Sequence, residues 1–513
     1  MHARAPQIGH PVSLCFRIPL LIAAALTLAI SCWSIAYRLT RPYPLTPWES
    51  AFIEDAHRVT QSLPVYESLG TGHATHLYGP LGTYLLSGAF SLTGPNVFDG
   101  RVISLVAGMA LTGVFILSFA ERRNLFQCLV AAAMLISLHY RCRAYFTETR
   151  PDVIALLWAA CSIVAAYQGW RSNRTWLYGC SAVMVVMAFL FKQTYAAAAI
   201  VPPLSVLLLR PSETRRHFLL SLLPLLALVV TLIILRTSFP LVWFYTMKVP
   251  SQFDISLERI SNGFIAMLVY NPFFTAILFA VLVIPTFDLR NEPKAIWLIV
   301  ASIIAGAVSI IAYGKRGGSY NSLLPVFAAT NGFCILLLPR VLQWLDEPDR
   351  WRLACIIGSV MLTGLFCASA FGVPASKQAG FELASNSRYF KVAVNVAKQL
   401  PGLVLCPEEP TVTLFAKQQV EHSLAAELDA FGRPPKLPAT VISYLQSADW
   451  IIRMQSEFED LGPDDGSTMR ALGFEYIHVV DLNGGYTLWR RTTSRYKPAT
   501  IPMRQEKIEV VTQ

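Results

Sequence analysis

Apolar stretches long enough to cross a bilayer recur along most of the chain, separated by short polar connections. The first runs from about Ile18 to Ala36. Others lie near 101–120, 125–140, 151–169, 175–191, 195–209, 217–236, 263–286, 295–313, 320–338 and 353–372. A spanning helix needs roughly 20 mostly apolar residues, so the pattern predicts a mainly α, polytopic transmembrane bundle of about eleven spans. The first stretch is long for a signal-peptide core of ~7–15 residues, and Ser31-Cys32-Trp33 is a poor cleavage site. It is read as an uncleaved helix with its N-terminus inside.

The stretch Tyr78–Leu92 is apolar but short, and Gly79-Pro80, Gly82 and Gly88 interrupt it. It reads as an interfacial or re-entrant helix rather than a crossing. With that choice, the loops holding Arg122 and Arg123, Arg171 and Arg174, Arg210, Arg215 and Arg216, Arg290 and Lys294, and Arg340, Arg350 and Arg352 all face the cytoplasm. If Tyr78–Leu92 crossed, the loops after it would change sides, and the positive-inside bias decides against that. The outer side then receives 37–98, the short connection 141–151, the loop 237–262, the turn 313–320 and everything beyond about 373. That last region predicts a small C-terminal α/β domain outside the cytoplasm, with residues 1–372 forming the membrane domain. Leu403–Cys406, Trp450–Ile452 and Tyr476–Val480 are strand-like, Thr411–Phe431 has helical spacing, and Gly484-Gly485 predicts a hairpin into Tyr486–Trp489. The last twenty or so residues have no packing pattern.

Composition agrees. The chain is 54% hydrophobic and 14% charged, with mean hydropathy +0.47; a soluble protein carries about a quarter charged residues. The net charge of +10 is spread over short loops, which membrane orientation explains and nucleic-acid binding does not. Of ten cysteines almost all lie in apolar stretches, and no Cys-x-x-Cys spacing occurs, which excludes a disulfide framework in the polar C-terminal region and a cysteine metal site.

A few cations break the charge rule. Arg150, Lys192, Lys315 and Arg316 fall at the outer edge, near acidic residues, where charge is costly unless it binds something. In Tyr313–Asn321, Lys315 and Arg316 adjoin glycines that free backbone N–H groups for phosphate oxygens, although snorkelling to lipid headgroups would also account for them. The Gly-x-x-x-x-Gly-Lys-Ser/Thr spacing of a nucleotide loop is absent. In Glu148-Thr149-Arg150-Pro151-Asp152, Pro151 and Asp152 suit a helix start, whereas Arg150 is disfavoured there and calls for Glu148, Asp152 or an anionic ligand as partner. In Thr46-Pro47-Trp48-Glu49, Thr46 is a candidate cap and Pro47 a first-turn residue, predicting an amphipathic helix in which Glu49, close to the lipid surface, is either a capping acid or a general base. His73 and His76 sit among Gly72, Gly79 and Pro80, which predicts a loop touching sugar or phosphate rather than a metal-binding helix.

The order of these segments resembles the polytopic GT-C glycosyltransferases, in particular bacterial members related to protein O-mannosyltransferases and the lipid A aminoarabinose transferase. The resemblance covers about residues 18–372 and rests on Trp48-Glu49 through Glu54-Asp55, Pro64-Val65-Tyr66, Tyr78-Gly79-Pro80-Leu81, Gly94–Arg101, Arg150-Pro151-Asp152 and Gly317–Asn321. It implies an inner-membrane enzyme of bacteria, with the C-terminal domain outside the cytoplasm. Such an enzyme moves a sugar, with inversion, from a polyprenyl-phosphate donor to a hydroxyl of a glycan, lipid or protein acceptor. It implies Glu49 or Asp55 as the base and Asp152 as a second acid; His73, His76, Tyr78, Glu148, Arg150, Lys192, Lys315, Arg316 and Asn321 are the candidate substrate contacts. The family often has Asp-Glu where this chain has Trp48-Glu49, and the lysine that precedes the Pro-Leu segment in some members is missing, so phosphate must fall to the outer cations. No cofactor is required; a divalent cation, Mg or Mn, could assist by neutralising phosphate. The rival reading is a secondary transporter or flippase for an amphipathic anion. Transporters, however, show related halves and midplane polar breaks, whereas here the charges gather at one face. A single cysteine introduced by Lys315→Cys is expected to react with a membrane-impermeant maleimide added from outside; labelling only after permeabilisation would reverse the topology.

Overall fold

The computed structural model describes residues 11–68, 74–120, 124–142, 145–209, 214–283, 292–315, 317–345, 352–371, 389–423, 426, 439–454, 476–482 and 486–494. The chain divides into two compact units: residues 1–66 with 76–384, and residues 67–75 with 385–513.

The first unit is helical throughout. It begins with α1 (Pro11–Leu39), α2 (Pro47–Thr60), α3 (Pro80–Thr93), α4 (Phe98–Phe119), α5 (Leu125–Ile136) and a single turn, α6 (Leu138–Arg141). Next come α7 (Asp152–Ser172), α8 (Trp176–Phe191), a 3-10 stretch Gln193–Ile200, α9 (Val201–Leu209), α10 (Thr214–Ser221) and α11 (Leu223–Ser238). Short pieces α12 (Pro240–Trp243) and α13 (Val249–Ser251) flank a π-helical stretch Phe244–Lys248. The unit ends with α14 (Leu257–Val269), α15 (Pro272–Val283), α16 (Pro293–Gly314), a 3-10 turn Tyr320–Leu323, α17 (Leu324–Leu345) and α18 (Arg352–Phe371).

Among the described residues, six helices are long and apolar enough to cross a membrane, one bent pair qualifies together, and four shorter helices are apolar. These eleven segments fall where the hydropathy pattern puts them. The long helices show low sidedness because lipid replaces water on their outer face, so apolar residues appear all round. Ile18, Ile22, Leu26 and Trp33 of α1 are exposed, while Phe16, Leu20 and Ala24 are buried in the bundle.

One span departs from expectation. The stretch near 263–286 predicts a single helix, but α14 and α15 meet at 73°. Asn271-Pro272 is the cause: Pro272 has no N–H to continue the ladder and restricts the residue before it. Among the described residues the second unit holds a four-stranded sheet of order β1-β2-β4-β3, with β1 (Val404–Leu405) parallel to β2 (Trp450–Met454), and β4 (Tyr486–Arg491) antiparallel to both β2 and β3 (Tyr476–Asp481). Leu405, Ile451 and Trp489 pack against Val441 and Leu445 of the helix Ala439–Ser447. The helix predicted over Thr411–Phe431 stops at Lys417, because Gln418 turns left-handed at φ 55° and ends the ladder. The Gly484-Gly485 turn and the C-terminal twenty residues lie outside the described residues.

Two close approaches lock the outer segments onto the bundle. A Cβ on Gly79 would sit 1.9 Å from the Leu190 carbonyl oxygen, and a Cβ on Gly100 would sit 2.0 Å from the Thr149 methyl. Backbone cannot move aside as a side chain can, so Gly79→Ala is expected to destabilise the protein by at least the ~1–3 kcal/mol of an overpacked core. Thermal unfolding in detergent reads this directly; an unchanged midpoint would mean that residues 78–80 do not rest on the end of α8.

Candidate functional site

One end of the first unit is organised by one ion pair. Thr46 caps α2, its hydroxyl accepting from the Glu49 N–H, and Pro47 opens the helix as the sequence predicts. This places Glu49 inward, where Arg101 of α4 donates from Nε to Oε1 and from Nη2 to Oε2, each at 3.0 Å. The Leu45 N–H (2.6 Å), the Thr149 N–H (2.9 Å) and the Thr149 hydroxyl (2.8 Å) complete the shell around the carboxylate. The remaining Arg101 donors reach the carbonyls of Arg38 (2.8 Å), Arg41 (2.7 Å) and Tyr43 (2.6 Å). Both residues are fully buried. Burial alone would raise the Glu49 carboxyl; the Arg101 charge and the surrounding hydrogen bonds outweigh it and hold the group below its ordinary value. With five donors on two oxygens, Glu49 is a clasp between α1, α2, α4 and the 148–150 connection. Both of its oxygens are thus engaged, whereas the family resemblance implies Glu49 as a base.

Beside this clasp lies Glu148. Its Oε1 accepts from the Thr46 hydroxyl at 2.5 Å and pairs with Arg150 Nε at 2.6 Å. Burial pushes this carboxyl up, Arg150 pulls it down, and the nearby Glu49 and Asp152 charges add to the rise, leaving it raised.

Asp152 stands at the first residue of α7, fully buried. Lys192, the residue that ends α8, donates to Oδ1 at 2.5 Å, and the Asn321 amide reaches the same oxygen at 3.3 Å. Among the described residues Oδ2 accepts no hydrogen bond. Lys192 Nζ also lies 5.0 Å from the Tyr78 ring centroid, a cation–π distance. Tyr78 is fixed on its other side, where its carbonyl accepts from the Tyr66 hydroxyl at 2.5 Å. Further along the same face of α7, Leu156, Ala159 and Ile163 line an apolar pocket, with Tyr195, Ala301 and Ala329 across from them.

Asp55 is committed elsewhere. Its Oδ2 accepts from the His76 N–H (3.2 Å) and contacts His76 Nδ1 (2.5 Å), while His76 Nε2 lies 3.1 Å from the Thr83 hydroxyl. The Asp55–His76–Thr83 chain ties α2 to α3, and the His76 ring contacts that of Tyr78 at 5.5 Å. His76 therefore supports Tyr78. Lys315 donates to the Pro250 carbonyl at 2.8 Å, which fixes the 315–318 turn against α13. His73 and Arg316 lie outside the described residues.

The structure thus brings Asp152, Lys192, Asn321, Tyr78, Glu148 and Arg150 to one end of α7 and assigns Glu49, Asp55 and His76 to holding that end together. Arg101, Thr149 and Thr83 were missed by sequence reasoning. Arg101 carried a usable signal, since it too is a cation at the outer start of an apolar span. No three His, Cys, Asp or Glu side chains among the described residues converge as a metal site.

A family model described as dolichyl-phosphate-mannose-protein mannosyltransferase matches residues 77–243. The chain is similar in structure to ArnT from Cupriavidus metallidurans in the apo state, with TM-score 0.55 and 13% identity over 91% of this chain and 97% of that one. Against the same protein bound to undecaprenyl phosphate the values are 0.54, 14%, 92% and 99%. Against the oligosaccharyltransferase of Archaeoglobus fulgidus in the apo form they are 0.50, 10%, 90% and 73%. No curated protein matches the sequence. At these identities the likeness is one of fold.

Replacing Arg101 with alanine leaves the Glu49 carboxylate buried without its cation, an expected loss of ~3–5 kcal/mol. Because the folded-state pKa of Glu49 is depressed, its stabilisation is full above the unfolded value of about 4.3 and is lost as pH falls through the folded one. Thermal unfolding from pH 7 to pH 3 should show that acid loss in wild type. Arg101→Ala should be weakened at pH 7 and relatively less sensitive to acid.

Proposed function

With the fold of the GT-C glycosyltransferases as its frame, we propose that this chain is a membrane glycosyltransferase. It takes a sugar from a polyprenyl-phosphate donor and passes it to an acceptor hydroxyl at the outer face of a bacterial inner membrane. The observation that carries the reading is Asp152: a buried carboxylate with one oxygen held by Lys192 and the other without a hydrogen bond, on the face of α7 that lines an apolar pocket. Undecaprenyl phosphate bound to the structurally similar ArnT supports a lipid phosphate as ligand.

The lipid's first isoprene units occupy the cavity along α7, and its phosphate comes to the outer end, where Lys192 and Arg150 are the cations. Lys192 is shared between Asp152 and the incoming phosphate. As it shifts to the phosphate it stabilises charge developing on the leaving group and frees the Asp152 carboxylate. Donor binding in this way readies the base. Asp152 then takes the proton of the acceptor hydroxyl, whose oxygen forms a bond to the anomeric carbon. The bond from that carbon to the phosphate oxygen breaks, its electron pair leaving with the polyprenyl phosphate, and the configuration inverts. Asn321 keeps Oδ1 oriented, and Glu148 holds Arg150. No step is assigned to a divalent cation.

Purified protein incubated with a panel of polyprenyl-phosphate sugars, followed by mass spectrometry of released lipid phosphate, tests the reaction. Asp152→Asn is expected to cut turnover by ~10²–10⁴, the range for a lost general base, while retaining donor binding. Lys192→Met should weaken donor binding as well. Full turnover in Asp152→Asn would remove it from the chemistry.

A further inference from the structure

At the bend between α14 and α15 three tyrosines meet, and the mechanism above uses none of them. Tyr270 forms the corner itself. Its carbonyl and the Asn271 side chain each accept from Arg141 Nη1 at 3.3 Å, and the Asn271 amide donates to the Thr330 hydroxyl at 2.8 Å. The corner is therefore held from two other helices. The Tyr270 ring meets that of Tyr320 at 82° with centroids 5.3 Å apart, and the two hydroxyls lie 3.2 Å from each other. Tyr320 meets Tyr313 edge-on at 5.9 Å. All three are half-exposed. Tyr320 is followed directly by Asn321, whose amide reaches Asp152.

Resting on the reading above, we propose that Tyr270, Tyr320 and Tyr313 form the seat of the donor's sugar ring, and that this sugar is neutral rather than an amino sugar. Rings at right angles offer a flat face to the C–H side of a sugar and an edge beside it, while paired phenol hydroxyls can both donate to and accept from sugar hydroxyls. Apolar walls with a few convergent polar groups are what a small-molecule site requires. The position fits: a sugar one bond from the phosphate must lie within a residue or two of the base, and Asn321 links the two places. The charge also fits. Arg141 lies on the Tyr270 carbonyl, the Arg259 guanidinium donates to the Gly318 carbonyl, and Lys315 fixes the same turn. These cations sit on the same corner and turn and weigh against a sugar ammonium there.

The test compares lipids that differ only in their sugar. Binding of the full chain in nanodiscs is measured for undecaprenyl phosphate alone and for its glucose, mannose, arabinose and aminoarabinose conjugates. In wild type at least one neutral conjugate should bind more tightly than the bare lipid phosphate and than the aminoarabinose conjugate. Tyr270→Ala and Tyr320→Ala should each remove about three- to tenfold of that excess with affinity for bare undecaprenyl phosphate unchanged. Tyr270→Phe, which keeps the ring and guards against misfolding, should lose less. Variants that weaken bare and sugar-bearing lipid alike, or neither, overturn the seat. So does a wild type that prefers the amino sugar or gains nothing from any sugar. A wild type that binds none of these lipids, bare phosphate included, overturns the glycosyltransferase reading itself, and with it the seat.

Discussion

The Arg101–Glu49 pair is the constraint on which the site-bearing end of the bundle depends. An arginine at the start of an apolar helix is expensive unless every donor is met. Here the donors are met by one carboxylate and three carbonyls drawn from the end of α1 and the linker after it. The same carboxylate gathers the backbone and hydroxyl of Thr149. Three residues further along, Asp152 starts α7. The geometry of the candidate site is therefore held by a neighbouring ion pair. Gly100 is part of the arrangement, because any side chain there would collide with Thr149.

A division of labour among the acids follows. Four of the carboxylates in this region each meet a different partner: Glu49 an arginine fork, Asp55 a histidine, Glu148 an arginine with a threonine, and Asp152 a lysine. Arginine in a two-pronged pair with a carboxylate is fixed, whereas lysine is a mobile point charge on a flexible stem. Of the four pairs, Lys192–Asp152 joins that mobile partner to a carboxylate oxygen left without a hydrogen bond, which is why chemistry is assigned there and architecture to the rest.

Much of the fold was legible from the chain. Hydropathy places the apolar segments, Thr46-Pro47 marks the start of α2, and Tyr78–Leu92 anticipates α3. The bend at Asn271-Pro272 was not legible from hydropathy, because both arms are apolar and the proline falls inside a continuous greasy run. The helix read over Thr411–Phe431 failed for the opposite reason: helical spacing continues past Gln418, while the backbone there turns left-handed. In the site, charge out of place drew attention to Arg150 and Lys192, which pair with Glu148 and Asp152. Nearness to the lipid surface in sequence gave no information on how fully the Glu49 carboxylate is hydrogen-bonded. Tyr270 carried no charge signal at all and emerges only when the bend brings it beside Tyr320.

The corner at Asn271 also bears on how the chain is assembled in the bilayer. A break in a helix strips carbonyls and N–H groups of their partners, and hydrocarbon supplies none. Here the missing partners come from far away in sequence: Arg141 serves the last carbonyl before the break, and the Ser369 hydroxyl accepts from the Phe273 N–H at 2.9 Å after it. Residue 369 is synthesised about a hundred positions later. Until it arrives, the Phe273 N–H lacks that partner, so α18, though distant in sequence, completes the corner of a span laid down long before it.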